Sequence, residues 1–569
     1  MPVASSSRLS RAGQRAVLMS GVLLSPAAVA GCYSGFAQPP SGQVAEDDVG
    51  DGADGGAEGD EDREHTGAPG RLRRLTRIEL DNVLHDLFGT SGVAISGVAI
   101  AGLELDPQVG AFYNAYEDLW ADRAFLQKYL AVIDQVAEQA SLDIAALYPC
   151  AWDQDGQVHA CVEGLLEELG TRMFRRPITG EELDRYAGAF ASSRQEYTVE
   201  ESLSSMLQAM LLSPAFLYRD ETLIGQQADS SLAQYQMASQ LSFTLWATMP
   251  DEPLLAAAEA GALATREQIL AQAERMLQSP RARDGLVQFF EQLFDHPKYR
   301  LIDKDPQEHP EFDPELLAAM QQEMRDFVAH VVFDGEGTLD ELLTAPYSLF
   351  GPRLASIYGV TADDASVPTA LPASERAGLL TQPGFLAYSS PVSGTKPVHR
   401  GNFVLERLLC IELGPPPEDM LMLPEDVADA DATTREKFEL HVERESCRAC
   451  HQYIDPIGFG LEQYDGLGRY RTEEDGHPVD AQGDLLGAGS QDGSFVGGRE
   501  LAERLAASEV THGCFARQYA RYVLGRRELE DDLPEIDRLV ERFVDSGREL
   551  KTLTLGLVGS ELFLDRFKP

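Results

Sequence analysis

The stretch Thr76-Arg77-Ile78-Glu79-Leu80-Asp81-Asn82-Val83-Leu84-His85-Asp86-Leu87-Phe88-Gly89 carries the local signals of one complete helix. Thr76 and Glu79 stand three apart as a capping box, in which each side chain bonds the other's backbone N–H in the first turn. Leu80, Val83, Leu84 and Leu87 recur at the spacing that lines one helical face, and Gly89 stands where a glycine ends a helix. Working outward, the pattern returns at Asp122 to Ala140, Val162 to Phe174, Glu181 to Phe190, Val199 to Leu212 and Ser231 to Thr248. It continues at Arg266 to Leu277, Arg281 to Leu293, Pro314 to Phe333, Arg499 to Leu524 and Leu533 to Phe563. Pro177, Pro214, Pro250 and Pro310 fall between these patterns, where helices stop. Strand signals are confined to the Gly- and Asp-rich stretch Tyr470 to Val496, which predicts one or two short hairpins. The expected fold is therefore mainly α, a multi-domain helical body with a small β-hairpin insertion and a C-terminal helical region.

At 569 residues the chain is long enough for several domains. Its 47 Lys and Arg stand against 93 Asp and Glu, a formal charge of -46, which opposes nucleic acid as a partner. With 43% apolar and 8% aromatic residues it can bury a substantial core.

The N-terminus reads as an address. Arg8, Arg11 and Arg15 precede an apolar run from Ala16 to Ala28, and Val29-Ala30-Gly31 places small residues before Cys32. This is similar to a bacterial lipoprotein signal, in which residues 1–31 are removed and Cys32 is lipidated. Residues 32–70, acidic and Gly-rich, predict a disordered tether. No later stretch is long and apolar enough to span a membrane, so attachment is expected through lipid. The remaining chain is divided into an N-terminal helical domain (71–148), a central helical part (149–365), a motif-bearing domain (366–490) and a C-terminal helical domain (491–569).

The chemistry is concentrated in Cys447-Arg448-Ala449-Cys450-His451. Two thiols at this spacing can each add to a haem vinyl group while the adjacent imidazole becomes an axial iron ligand. With seven Cys and eleven His in the chain, chance predicts roughly 0.002 such matches. The same atoms also suit a redox disulfide tuned by His451, or half of a zinc site. Zinc wants further ligands and no second paired motif follows. No βαβ pattern surrounds the motif as a thioredoxin-like site requires, and export favours haem c attachment.

No Met follows His451, so the second axial ligand is sought in His441, then His512 and His477, with Met420, Met422 and His399 upstream. A capping or surface role competes for His441. The other cysteines, Cys150, Cys161, Cys410 and Cys514, allow two disulfides in three connectivities, or four buried thiols. Cys150 and Cys161 bracket a short loop around Trp152, and Cys410 with Cys514 would tie the segments flanking the motif. Asp455-Pro456-x-Gly458 and Tyr464-Asp465-x-x-Gly468-Arg469-Tyr470 predict a structured loop over one haem face, with Arg469 or Arg471 offered to a propionate. Asp475, Asp480 and Asp484 lack an EF-hand spacing and predict a solvated hairpin rather than calcium.

From about Arg73 onward the chain resembles the large secreted planctomycete and myxobacterial cytochrome c proteins, built from several domains of unknown function. The resemblance is carried by Arg74-Leu75-Thr76-Arg77-Ile78-Glu79-Leu80, Phe174-Arg175-Arg176-Pro177, Leu241-Ser242-Phe243-Thr244-Leu245-Trp246 and Asp303-Lys304-Asp305-Pro306. Arg376-Ala377-Gly378-Leu379-Leu380, His399-Arg400-Gly401, Pro415-Pro416-Pro417, Cys447 to Gly458 and Cys514 to Tyr522 extend it. It implies a mainly helical fold and assigns no biochemical role.

Three functions are consistent with these features. The first is a lipid-anchored, mono-haem electron-transfer protein of the bacterial envelope, at the outer membrane, working with a redox partner protein. The second is a haem-dependent oxidoreductase on an exported substrate. The third is a cell-surface binding or scaffold protein whose C-x-x-C is a structural disulfide.

Overall fold

The capping box forms as its sequence dictates: Thr76 accepts from the Glu79 amide, Glu79 accepts from the Thr76 amide, and helix α1 (Arg77–Phe88) follows. Its apolar stripe is fully buried. A computed structural model describes residues 72–89, 102–154, 156–224, 230–414, 432–439 and 445–564. All of these fall in one compact unit, Glu64–Pro569. The expected signal, Cys32 and tether, together with His441, Met420 and Met422, lie outside the described residues.

The architecture is mainly helical with four two-stranded antiparallel sheets among the described residues. Helices α2 (Arg123–Leu142), α3 (Val158–Phe174), α4 (Gly180–Ser193) and α5 (Val199–Leu211) close an N-terminal apolar cluster with α1. A strand that the sequence does not announce opens this part: β1 (Leu72–Arg74) pairs with β2 (Tyr218–Asp220). It is stapled by charge. Arg219 donates to Glu79 at 2.9 Å and Glu221 at 2.6 Å, and Arg74 to Asp106 at 2.6 Å, all buried.

Helix α6 (Ser231–Trp246) is buried almost all round, as a central helix must be when neighbours cover every face. Helices α7 (Glu252–Glu259), α8 (Arg266–Leu277) and α9 (Arg281–Leu293) pack around it, and α10 (Pro314–Phe333) packs on α9. The small sheet β3 (Tyr347–Ser348) with β4 (Thr369–Ala370) follows. The main apolar cluster runs from Ala111 to Phe563, across the expected boundaries at 365/366 and 490/491. The segments on either side of those boundaries therefore share a core.

Tyr470 to Val496 forms two hairpins, β5 (Glu473–Glu474) with β6 (His477–Pro478), and β7 (Gln482–Leu485) with β8 (Gly493–Val496). The two expected C-terminal helical blocks are each broken. Ser508 stops the first: its hydroxyl caps the Thr511 amide and donates to Ala488 O, dividing Gly497–Ala507 from Glu509–Leu524. In the second, Gly547 at φ +76° and Arg548 at φ 66° turn the chain between Leu533–Asp545 and Leu550–Val558. No described helix is long and apolar enough to cross a membrane.

Candidate functional site

Two helices build the site. Helix α11 (Pro397–Phe403) carries His399-Arg400-Gly401, and α12 (Glu445–Phe459) carries the C-x-x-C-H motif. The segment Asp455-Pro456-x-Gly458 is helical, which corrects the expected loop. Pro456 removes one amide near the helix end, and Gln452, four residues earlier, is exposed, so its carbonyl can be hydrated. Tertiary contact supplies what local propensity lacks. A Cβ on Gly401 would stand 2.0 Å from Ile454 O, and one on Gly458 would stand 2.0 Å from Pro397 O. The two backbones thus touch where only glycine fits.

On α12, Cys447, Cys450 and His451 sit at i, i+3 and i+4 and share one face. Ile454, Asp455 and Gly458 continue that face. Its C-terminal half is buried, whereas Cys447, Cys450 and His451 are half-buried. Cys447 and Cys450 are not bonded to each other; both are thiols. His451 Nδ1 lies 2.9 Å from Asp455 Oδ1 and 3.1 Å from Oδ2. The Asp455 side chain is 2% exposed against 23% for His451. A carboxylate at Nδ1 favours the tautomer with the proton on that nitrogen, which would leave Nε2 with the lone pair that a metal requires. The donor set of two thiols and one such imidazole on one accessible face fits a covalently attached haem. Among the described residues no group of three His, Cys, Asp or Glu side chains is arranged to hold a metal ion.

The site stands on a buried polar network. Arg400, 0% exposed, donates to Leu461 O at 2.7 Å and Tyr464 O at 3.1 Å, with the Glu462 carboxylate at 3.4 Å. Glu462 also accepts from Thr395 at 2.5 Å and Arg471 at 3.1 Å. Burial pushes Glu462 up and Arg400 down, and each is opposed by the other's charge. Arg376, equally buried, donates to Thr381 O and Gly468 O at 2.7 Å and stacks on Tyr358 and Tyr464. These motif arginines hold turns together.

The other sequence candidates are placed as follows. Arg469 pairs with Glu311 and lies 3.9 Å from Asp465, and Arg471 pairs with Glu462 and Glu474, so both guanidiniums are engaged by carboxylates. His512 Nε2 meets Ala506 O at 2.7 Å. His399 is edge-on to Tyr388, its pKa lowered by burial and then by Lys396. His477 is exposed in the β5–β6 hairpin. Asp480 and Asp484 bond the Gln482 amide and the Ser494 hydroxyl within the hairpin. Cys150 is joined to Cys161, and Cys410 to Cys514. Asp455, which sequence reasoning placed only in a loop over one haem face, is the site residue it did not link to His451. Its signal was the four-residue step from His451, hidden by the turn-forming Pro456 and Gly458.

A cleft of about 190 Å³ lies away from α12, lined by Arg407, Arg521, Arg526 and Arg527 among others. Three of these guanidiniums are spent on Glu528, Asp532 and Glu412.

Five family models match the chain in order, each described as a protein of unknown function. They cover residues 73–141 (DUF1587), 161–221 (DUF1595), 232–360 (DUF1592), 376–474 (PSCyt3, DUF1588) and 491–563 (DUF1585). Helices α11 and α12 both fall within 376–474. No curated protein and no solved structure matches this chain.

Proposed function

We propose that this chain, assembled from five domain families of unknown function, is a lipid-anchored c-type haem protein that transfers electrons in the bacterial cell envelope. The observation that carries the reading is the shared face of α12, where Cys447, Cys450 and His451 stand together and Asp455 holds Nδ1 at 2.9 Å. Cys447 and Cys450 would hold the haem through thioether links, for which addition of each S–H across a vinyl group would need no oxidant because the hydrogen would go to carbon. Haem bound there supplies one-electron redox chemistry. The chain's own part is to hold the thiols at one-turn spacing, to present Nε2 to the iron, and to fix α12 against α11. Lipidation at Cys32 would keep the protein at the membrane and the acidic tether would hold the body clear of it.

Expression of the full chain with a c-type maturation system tests this directly. The wild-type chain is expected to carry a covalent haem stain that Cys447→Ala with Cys450→Ala abolishes. An unstained wild-type chain overturns the haem reading. Cys32→Ala is expected to move the protein from the membrane fraction to the soluble one.

A further inference from the structure

We infer that Asp455 is a positioning residue that sets the reduction potential of the site: its buried carboxylate orients His451 and lends the imidazole anionic character, which favours oxidised iron. This rests on the haem reading above and deepens it.

Ring N–H groups of metal-bound histidines are held by a carboxylate, a backbone carbonyl or water. The last two orient the ring without adding charge. Here the partner is a carboxylate with both oxygens near Nδ1, at 2.9 and 3.1 Å. It is 2% exposed, so water screens it poorly and its charge acts at short range on the ligand. A negative charge beside the ligand raises its basicity and stabilises the more positive oxidation state, which lowers the potential.

Two features fix the carboxylate in place. His451 and Asp455 belong to one helix a single turn apart, so their separation does not depend on a loop. That turn is clamped from outside, because Gly401 lies against Ile454 O and Gly458 against Pro397 O on either side of Asp455. The backbone that carries the Asp455 side chain is therefore held against α11.

The test uses the full chain matured with haem and compares wild type with Asp455→Asn and Asp455→Ala. Asn keeps an oxygen acceptor for Nδ1 and removes the charge. Spectroelectrochemistry is expected to give a more positive midpoint potential for Asp455→Asn at unchanged covalent haem content. Asp455→Ala is expected to add a change in the haem spectrum as the ring loses its hold. An unchanged midpoint in a haem-replete Asp455→Asn chain overturns the inference and leaves the haem reading intact. A wild-type chain without haem fails the other way and sinks the haem reading first. A second measurement needs no haem: nitrogen NMR of the labelled apo chain, at a pH where the ring is neutral, is expected to show His451 protonated at Nδ1. Protonation at Nε2 overturns the orienting role.

Discussion

Gly458 rests against Pro397 so closely that a Cβ on the glycine would stand 2.0 Å from the proline's carbonyl oxygen. Since the obstacle is backbone, no side chain can swing away, and the contact decides the distance between α11 and the motif-bearing α12. Gly458→Ala is expected to cost about 1–3 kcal/mol, the usual penalty for overpacking a closed contact. Gly513→Ala is the control: it sits in a helix with nothing within 4 Å of a Cβ, and should stabilise by about 0.5–1 kcal/mol. Urea unfolding midpoints of the two variants check the contrast, and equal shifts would refute it.

A second prediction concerns Arg400 and Glu462, whose side chains are 0% and 2% exposed. Arg400→Met leaves a buried carboxylate with only Thr395 and Arg471, and the loss is expected to approach about 3–5 kcal/mol. Adding Glu462→Gln removes the stranded charge and should recover part of that loss, measured as a double-mutant cycle. Additive losses would show that the two groups do not act as a pair.

Disulfide loss should scale with loop length. Cys410–Cys514 spans 104 residues and encloses α12, whereas Cys150–Cys161 spans 11. Chain entropy gives about 4.7 kcal/mol for a loop of the first size and about 3 kcal/mol for the second. Paired Cys→Ser variants, compared by denaturant unfolding, should rank in that order. The opposite ranking would show that strain or residual unfolded structure outweighs chain entropy.

Glu323 predicts a pH dependence. Burial raises its pKa to about 7, against the pull of hydrogen bonds from Tyr358 and Ser348 and the charge of Arg376. The folded chain then holds a proton that the unfolded chain releases near 4.5, so stability falls as pH rises from that value towards 7. The upper bound on the cost is roughly 3 kcal/mol. Glu323→Gln is expected to raise the Tm relative to wild type at pH 8 and to leave it nearly unchanged at pH 4. A gain of equal size at both pH values would exclude this titration as the cause.

The sequence by itself determined the helices, because caps, apolar periodicity and stop signals act within a few residues of one another. Thr76 with Glu79 and the stripe from Leu80 to Leu87 needed nothing beyond their own turn. It also placed Cys447, Cys450 and His451 in one motif, and held the His451 to Asp455 step in plain view. What it could not show was that the step lies in a helix, since Pro456 and Gly458 argue locally for a turn and are overruled only by contact with Pro397 and Gly401. The same limit hid β1, whose partner Tyr218–Asp220 is far away in the chain. It also left open which cysteines meet and where Arg400, Arg469 and Arg471 spend their charge. Those outcomes depend on which distant groups burial brings within a few ångströms, and only the tertiary structure decides that.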